Sequence, residues 1–169
     1  MSDQTGASWL SETRSKLRHQ SEAIAEALDD LAATLGDRSD RGPATWVKLQ
    51  HGESVTVYVL TPRLLHRFSG KPDPPTGSQP DEPRESACEY RTFPITPYAT
   101  FWLSVTVKAA GEHVRTVDRH WTFRIGDDPG QSIDIATSTK KQDVIDDPTL
   151  FARALAATVA AVSATPADA

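Results

Sequence analysis

The stretch that decides the fold is residues 101–125, FWLSVTVKAAGEHVRTVDRHWTFRI. Apolar and polar side chains alternate on both sides of its centre, and this period of two is typical of half-buried strands. We predict an antiparallel hairpin with a three-residue loop at 109–111, because Gly111 falls where such a loop needs a left-handed backbone. The loop sets three cross-strand pairs, which are Lys108 with Glu112, Leu103 with Val117 and Ala99 with Trp121.

Further strands are predicted on both sides of this hairpin. Upstream, alternation around His51-Gly52-Glu53 predicts a second hairpin, and residues 63–68 either extend it or form a short turn. Downstream, the turn at 126–130 leads to a strand over 132–137. If the upstream valines face one core, the register of the second hairpin follows. It pairs Val47 with Val57, Leu49 with Val55 and Trp46 with Tyr58.

Two helices flank the strands. A heptad stripe predicts the first over 8–35, and Asp147 followed by Pro148 predicts a second that runs to about 164. Each helix has one apolar side. We therefore expect an α+β fold in which an antiparallel sheet of about five strands carries the N-terminal and C-terminal helices on one face. The stripe also leaves open a coiled coil or a partner helix; its members are Leu10, Leu17, Ile24 and Leu31.

The length of 169 residues suits a single domain, which we expect over 8–164 with flexible ends at 1–7 and 165–169. Seven of the 12 prolines and many acidic residues lie between 69 and 97. A segment of this composition buries too little apolar surface to offset the entropy cost of ordering it. We expect it to be a mobile insertion within the domain.

Composition limits the class of protein. The net charge of -5 argues against a general nucleic-acid binder, and no run is apolar enough to cross a membrane. A single cysteine, Cys88, excludes an internal disulfide and a thiolate zinc site. Glycine-rich phosphate loops, nucleophile elbows and His-Glu-x-x-His pairs do not occur. The sequence favours a cytoplasmic, non-catalytic protein with no cofactor over an enzyme.

Large apolar side chains gather on the sheet face that the helices leave uncovered. In the predicted registers they are Trp46, Tyr58, Leu60 and Trp102. Two helices of this size cover one face of a five-stranded sheet, so the other face needs the insertion, a second copy or another protein. We interpret the chain as a protein-protein interaction or assembly module that uses this aromatic face and the amphipathic first helix.

Cationic side chains on the other face offer an alternative function. Alternation along the strand puts His113, Arg115 and Arg119 on the same face as Trp121. Burial of an unpaired arginine on this face costs several kcal/mol of free energy. These cations are paired, lie near an edge, or line a pocket. In the last case the chain is an anion-binding or hydrolytic domain, with Arg115 and Arg119 contacting phosphate or carboxylate.

Asp118 and His120 share the polar face of the same strand, opposite Trp102 and Thr100 in the predicted register. A first-row metal site normally has three or more protein ligands, and the sequence supplies no third one nearby. We therefore expect a solvated polar face here and assign no metal ligands.

Overall fold

The computed structural model describes six stretches of the chain. They are residues 21–35, 45–73, 86–110, 114–126, 131–139 and 147–164. These stretches form two helices and two antiparallel sheets, so the predicted α+β class is confirmed. The elements in chain order are α1 (Glu22–Leu35), β1 (Thr45–His51), β2 (Ser54–Leu60), β3 (Leu64–Gly70), β4 (Cys88–Pro94), β5 (Thr100–Ala110), β6 (Val114–Arg124), β7 (Ser132–Thr139) and α2 (Asp147–Ala164).

The strands form two sheets rather than one. The four-stranded sheet has the order β1-β2-β3-β4, and the three-stranded sheet has the order β5-β6-β7. The prediction of one sheet of about five strands is therefore wrong. The helices do not share a sheet either, because α1 packs on the first and α2 packs against the second. The prediction that both helices lie on one face is wrong for the same reason.

The internal contacts divide the described residues into two compact units. The first unit contains α1, β1, β2 and most of β3 and β4, and the second contains β5, β6, β7 and α2. The single domain expected over 8–164 stays a prediction. The flexible ends expected at 1–7 and 165–169 lie outside the described residues, as does the 74–85 part of the expected insertion.

The core of the first unit forms between α1 and β2. Ile24, Leu28 and Leu31 lie on one side of α1, at the spacing that repeats along a helix face. They pack against a buried set from the sheet, which is Val55, Val57, Val59 and Phe68. The described part of the apolar stripe on α1 therefore packs against the sheet of the same unit. The other members of the predicted stripe, Leu10 and Leu17, lie outside the described residues.

Three side chains cap the first turn of α1, and two of them come from distant parts of the chain. The hydroxyl of Ser21 accepts a hydrogen bond from the amide of Ile24 (3.4 Å), as an N-cap residue does. Asp73 Oδ2 accepts from the amide of Glu22 (2.8 Å), and Ser86 Oγ accepts from the amide of Ala23 (3.2 Å). Asp73 and Ser86 stand on either side of residues 74–85. These two flanking residues are therefore both bonded to the start of α1.

The β1–β2 hairpin has a register one residue away from the predicted one. Val47 pairs with Tyr58, and not with Val57, because the turn contains two residues rather than three. Gly52 in that turn has φ +58°, the left-handed conformation that a two-residue hairpin turn requires. The shift puts Val47 and Tyr58 on the sheet face opposite Val57, and all three are buried. The predicted pairs Leu49–Val55 and Trp46–Tyr58 are wrong for the same reason.

A strand lies inside the segment for which the sequence indicated only a mobile insertion. Residues 88–94 form β4, which is the outer strand next to β3. Most of its side chains are exposed, and Glu89 and Arg91 form an ion pair on it. Its last residue is Pro94, and proline is tolerated at the ends and outer edges of sheets. Composition concealed this strand because an exposed edge needs few apolar residues.

The β5–β6 hairpin has a register four residues away from the predicted one. Ala110 pairs with Val114, and residues 111–113 between them lie outside the described residues. Leu103 consequently pairs with Trp121, and the three predicted pairs, Lys108–Glu112, Leu103–Val117 and Ala99–Trp121, are wrong. The register is shifted by an even number of residues, so the residues that share a face of the sheet are the ones predicted to share it.

The second unit closes with β7 and α2, whose positions agree with the predictions. In α2 the apolar residues Phe151, Leu155 and Val159 are buried, and they recur every four positions on one helix face. Thr149 at the start of α2 donates a hydrogen bond to Thr137 of β7 (3.1 Å). None of the helices in the described stretches is long and apolar enough to cross a membrane.

Candidate functional site

The outer strand of the second sheet carries a run of exposed apolar side chains. β5 pairs with β6 on one side, and in the described part of the chain no strand pairs with its other side. Every residue from 101 to 109 is exposed. The large apolar members, with their exposed fractions, are Phe101 38%, Trp102 55%, Leu103 40%, Val105 51% and Val107 49%. We call these five side chains the β5 surface.

Four members of the β5 surface project from the same side of the sheet. They are the odd-numbered ones, and they share this apolar face with Val117, Trp121 and Phe123 of β6. The β6 side chains are buried, and so are Ile133 and Ile135 beyond them in β7. The apolar face is thus buried at β7 and β6 and exposed at β5.

Aromatic contacts fix one end of the β5 surface. The ring of Phe101 lies 6.3 Å from that of Trp121 and 5.8 Å from that of Phe123, measured between centroids. Trp121 and Phe123 stack at 6.2 Å with nearly parallel rings. Such contacts stabilise a side chain beyond simple burial. Phe101 is therefore held in place although more than a third of it is exposed.

The backbone of β5 lacks the features that usually prevent edge strands from pairing. Natural edges carry charged residues, proline or bulges that block the approach of another strand. From 100 to 107 β5 has no charge and no proline, and its register with β6 is continuous. β4, the outer strand of the other sheet, contrasts with it, since β4 carries the Glu89–Arg91 ion pair and ends at Pro94.

Hydrogen bonds and ion pairs occupy the polar face of the same sheet. Lys108 Nζ lies 2.8 Å from Asp118 Oδ2, and the hydroxyl of Ser138 donates to Asp118 Oδ1 (2.6 Å). The hydrogen bond from Lys108, followed by that from Ser138, lowers the pKa of the Asp118 carboxyl below its ordinary value. The same contact with Asp118 raises the pKa of Lys108. This carboxylate is therefore stabilised as an anion by its own sheet.

Asp118 and His120 do not converge on a common centre. They lie opposite Thr106 and Ser104, and not opposite Trp102 and Thr100 as predicted. His120 Nε2 lies 3.4 Å from Asp134 Oδ1, which also accepts a hydrogen bond from Thr122 (2.7 Å). Within the described stretches no three His, Cys, Asp or Glu side chains are grouped so that they could hold a metal ion.

The predicted cationic residues are only partly described. His113 lies outside the described residues, and Arg115 lies in β6 opposite Ala109. Arg119 is half-buried opposite Val105, on the face of Val117 and Trp121. The anion-binding alternative at these side chains therefore stays a prediction.

The four aromatic and apolar residues predicted to share one partner-binding face lie in two different sheets. Tyr58 and Leu60 belong to β2 and are buried, with exposed fractions of 9% and 5%. Trp46 lies in β1 opposite Val59, and its side chain is outside the described set. Trp102 alone belongs to the β5 surface. The prediction of one shared face is wrong, because it assumed one sheet.

The sequence pattern did not reveal that the other members of the β5 surface are exposed. Phe101, Leu103, Val105 and Val107 alternate in phase with the buried residues of β6, so they read as core positions. One signal was present. Trp102 places a large aromatic side chain on the opposite face of the same strand, between Thr100 and Ser104, where an exposed indole indicates a contact surface.

Burial shifts the pKa of two described titratable groups in the first unit, His66 and Cys88. His66 is buried, and its ring nitrogens lie 3.2 Å from Thr61 Oγ1 and 2.9 Å from the Tyr90 hydroxyl. Burial lowers the pKa of His66. The pKa of Cys88 is raised, mainly by burial, so this thiol is not an activated nucleophile.

Similarity to known proteins adds no information about the site. Comparisons of the chain with protein-family models, with curated proteins and with solved structures each return no match.

Proposed function

We propose that the chain is a non-catalytic protein-protein interaction or assembly module that binds its partner through the β5 surface. One observation carries the proposal. Five large apolar side chains are exposed together on a strand whose outer backbone has no partner among the described residues. The four odd-numbered members share one face of the sheet, Trp102 is exposed on the other face, and contiguous apolar patches mark interaction sites.

The energetics favour occupation of this surface. Burial of apolar area stabilises a complex by about 25 cal/mol per Å², and aromatic side chains are enriched among the residues that dominate binding energies. A strand added to the outer edge of β5 would also satisfy its backbone N–H and C=O groups. Trp102, Phe101 and Val105 are the members for which we expect the largest contributions.

The proposal differs in its residues from the one made on sequence alone. Tyr58 and Leu60 are buried within the first unit, so they are replaced as contact residues by the neighbours of Trp102 in β5. The described part of α1 uses its apolar side against β2 and is omitted from the binding surface. The cytoplasmic location expected from the sequence remains part of the proposal.

Affinity capture from the source cells, followed by mass spectrometry, tests the proposal. The informative variant is Val105→Lys, which puts a charge at the middle of the β5 surface. Leu150→Lys is the matched control, because Leu150 is an equally exposed apolar residue (50%) on α2 rather than on β5. We expect Val105→Lys to lose the bound protein and Leu150→Lys to retain it, with both variants keeping the wild-type circular dichroism spectrum.

Two results would contradict the proposal. One is recovery of the same bound proteins by Val105→Lys and by the wild type. The other is loss of the bound proteins by Leu150→Lys as well, since that would make the effect one of added charge rather than of the β5 surface. Trp102→Ala provides a second variant that adds no charge.

A further inference from the structure

We propose that the partner of the β5 surface is β5 of a second copy of the chain, paired antiparallel about a twofold axis at Val105. This inference rests on the proposed function and names its partner. The product is a continuous six-stranded sheet of the order β7-β6-β5-β5-β6-β7, in which the second sheet of each copy loses its exposed β5 edge.

The hydrogen-bond geometry of β5 restricts how two copies can pair. In an antiparallel pair, residues directly opposite each other either both point their N–H and C=O groups at the partner strand or both point them away. Along β5 the groups alternate between β6 and the outer edge. Odd-numbered residues must therefore lie opposite odd-numbered residues. The same condition puts the apolar faces of both copies on one side of the joined sheet.

Only one register that meets this condition pairs every residue of the strand. β5 runs from Thr100 to Ala110, so its midpoint is Val105. A register centred there uses all eleven residues, and any other leaves some of them without a partner. The pairs between copies are Val105 with Val105, Ser104 with Thr106, Leu103 with Val107, Trp102 with Lys108, Phe101 with Ala109 and Thr100 with Ala110.

The side chains in this register are complementary on both faces. On the apolar face, Val105 meets Val105 and Leu103 meets Val107, so the exposed residues of each copy bury those of the other. On the polar face, Ser104 meets Thr106, and two hydroxyl residues at opposite positions can hydrogen-bond. A strand that binds a copy of itself needs this kind of self-complementary pattern.

The single charge in β5 agrees with self-pairing. Lys108 is the only charged residue between 100 and 110. In the register centred on Val105 it lies opposite the indole of Trp102, which attracts a cation to its ring face. The two lysines are then six positions apart, or about 20 Å at ~3.4 Å per residue, so they do not repel each other strongly. A register centred nearer to Lys108 would bring them together.

Cysteine cross-linking of the full chain tests the register directly. All variants carry Cys88→Ser, since Cys88 is the only native cysteine. Val105→Cys is expected to form a disulfide-linked dimer on mild oxidation, because the two copies of residue 105 face each other. A mixture of Leu103→Cys and Val107→Cys is expected to form the mixed dimer. Each of those two alone is expected to cross-link poorly, because its own copies are ~14 Å apart along the strands.

Solution mass separates this inference from the proposed function. By light scattering we expect twice the mass of the 18.4 kDa chain for the wild type and for Leu150→Lys, and the single mass for Val105→Lys and Leu103→Lys. A wild type that stays monomeric at every concentration overturns self-pairing. In that case the capture experiment decides about the proposed function. The proposed function holds if the wild type captures a different protein that Val105→Lys does not capture. It fails if the wild type and Val105→Lys capture the same proteins. A dimer that Val105→Lys and Leu103→Lys both retain overturns self-pairing as well.

Discussion

Leu103 of β5 lies directly opposite Trp121 of β6 on the same face of the sheet, yet the two differ sharply in burial. Leu103 has an exposed fraction of 40%, Trp121 has 6%, and Ile135, which lies opposite Trp121 in β7, has 0%. A single row of side chains across three strands therefore runs from the core of the unit to its surface.

We predict that truncations along this row have unequal effects on stability. Ile135→Ala should lower the free energy of unfolding by about 2–5 kcal/mol, because it leaves a cavity in a packed core. Leu103→Ala should lower it by less than about 1.5 kcal/mol, because much of that side chain is already in water. Urea unfolding measures both values. Both truncations are made in the Val105→Lys background, so that self-association does not contribute. Equal losses would contradict the burial difference.

We predict that the first unit loses stability in mild acid because of His66. Burial lowers the pKa of His66 below its ordinary value of 6.5, so the unfolded chain binds a proton more readily than the folded chain does. The contribution of neutral His66 to the free energy of unfolding is full above pH 6.5 and is lost as the pH falls below it. The free energy of unfolding then changes by at most about 1.4 kcal/mol per pH unit. Urea unfolding from about pH 7.5 to about pH 5.5 measures the slope.

His66→Gln is the variant that isolates this titration. It should be less stable than the wild type at neutral pH, yet its free energy of unfolding should vary less between these pH values. Tyr90→Phe is the control, because it removes the hydroxyl 2.9 Å from His66 Nδ1 and leaves the imidazole in place. It should keep the slope. An unchanged slope in His66→Gln would assign the acid sensitivity to another group.

We predict that Asp118 titrates below the ordinary carboxyl value of 3.8 and that its neighbours cause the difference. Lys108→Met should raise the pKa of Asp118 more than Ser138→Ala does, because the contact with Lys108 is the larger influence. The contribution of ionised Asp118 to the free energy of unfolding is present above pH 3.8 and is lost as the pH falls through the lowered pKa of Asp118. Carbon-13 NMR of the carboxyl group measures the titration. Thr106→Ala, at the position opposite Asp118, should leave it unchanged.

We predict that the conformation of Gly52 matters more than the space around it. Its φ of +58° suits glycine, and a Cβ added there would meet no atom within 4 Å. Gly52→Ala should therefore lower the free energy of unfolding by about 1 kcal/mol through backbone strain alone. Gly52→Asn should cost less, because asparagine tolerates the left-handed region. Thermal unfolding ranks the variants. Equal stability of all three would show that the turn is not strained.

The sequence was most informative where a pattern is local. Asp147 followed by Pro148, with one apolar side beyond them, predicted α2, and the strand pattern after the turn at 126–130 predicted β7. Both elements are built from a regular repeat with one buried side. No such repeat exists in β3, in which Leu65 and its neighbour His66 are both buried. Burial on both faces removes the alternation by which a strand is recognised.

Registers and sheet membership were beyond local patterns. The turn at Gly52 differs by one residue from the predicted one, and this small change moves Val47 to the opposite face from Val57. The division into two sheets depends on which strands pair over long distances. The candidate site was missed for a related reason, since alternation in Leu103 and Val105 indicates which residues share a face but not whether anything covers that face.

The hydrogen bonds from Asp73 and Ser86 to α1 have a practical consequence for anyone who wishes to label the protein. Asp73 and Ser86 flank residues 74–85 and both bond to the start of α1, so sequence inserted between these two residues lengthens a connection whose two ends already meet. Doubling the length of a loop costs only about 0.6 kcal/mol in closure entropy. An epitope or a small fluorescent reporter between Ser78 and Gln79 should therefore leave the hydrogen bonds at the start of α1 intact.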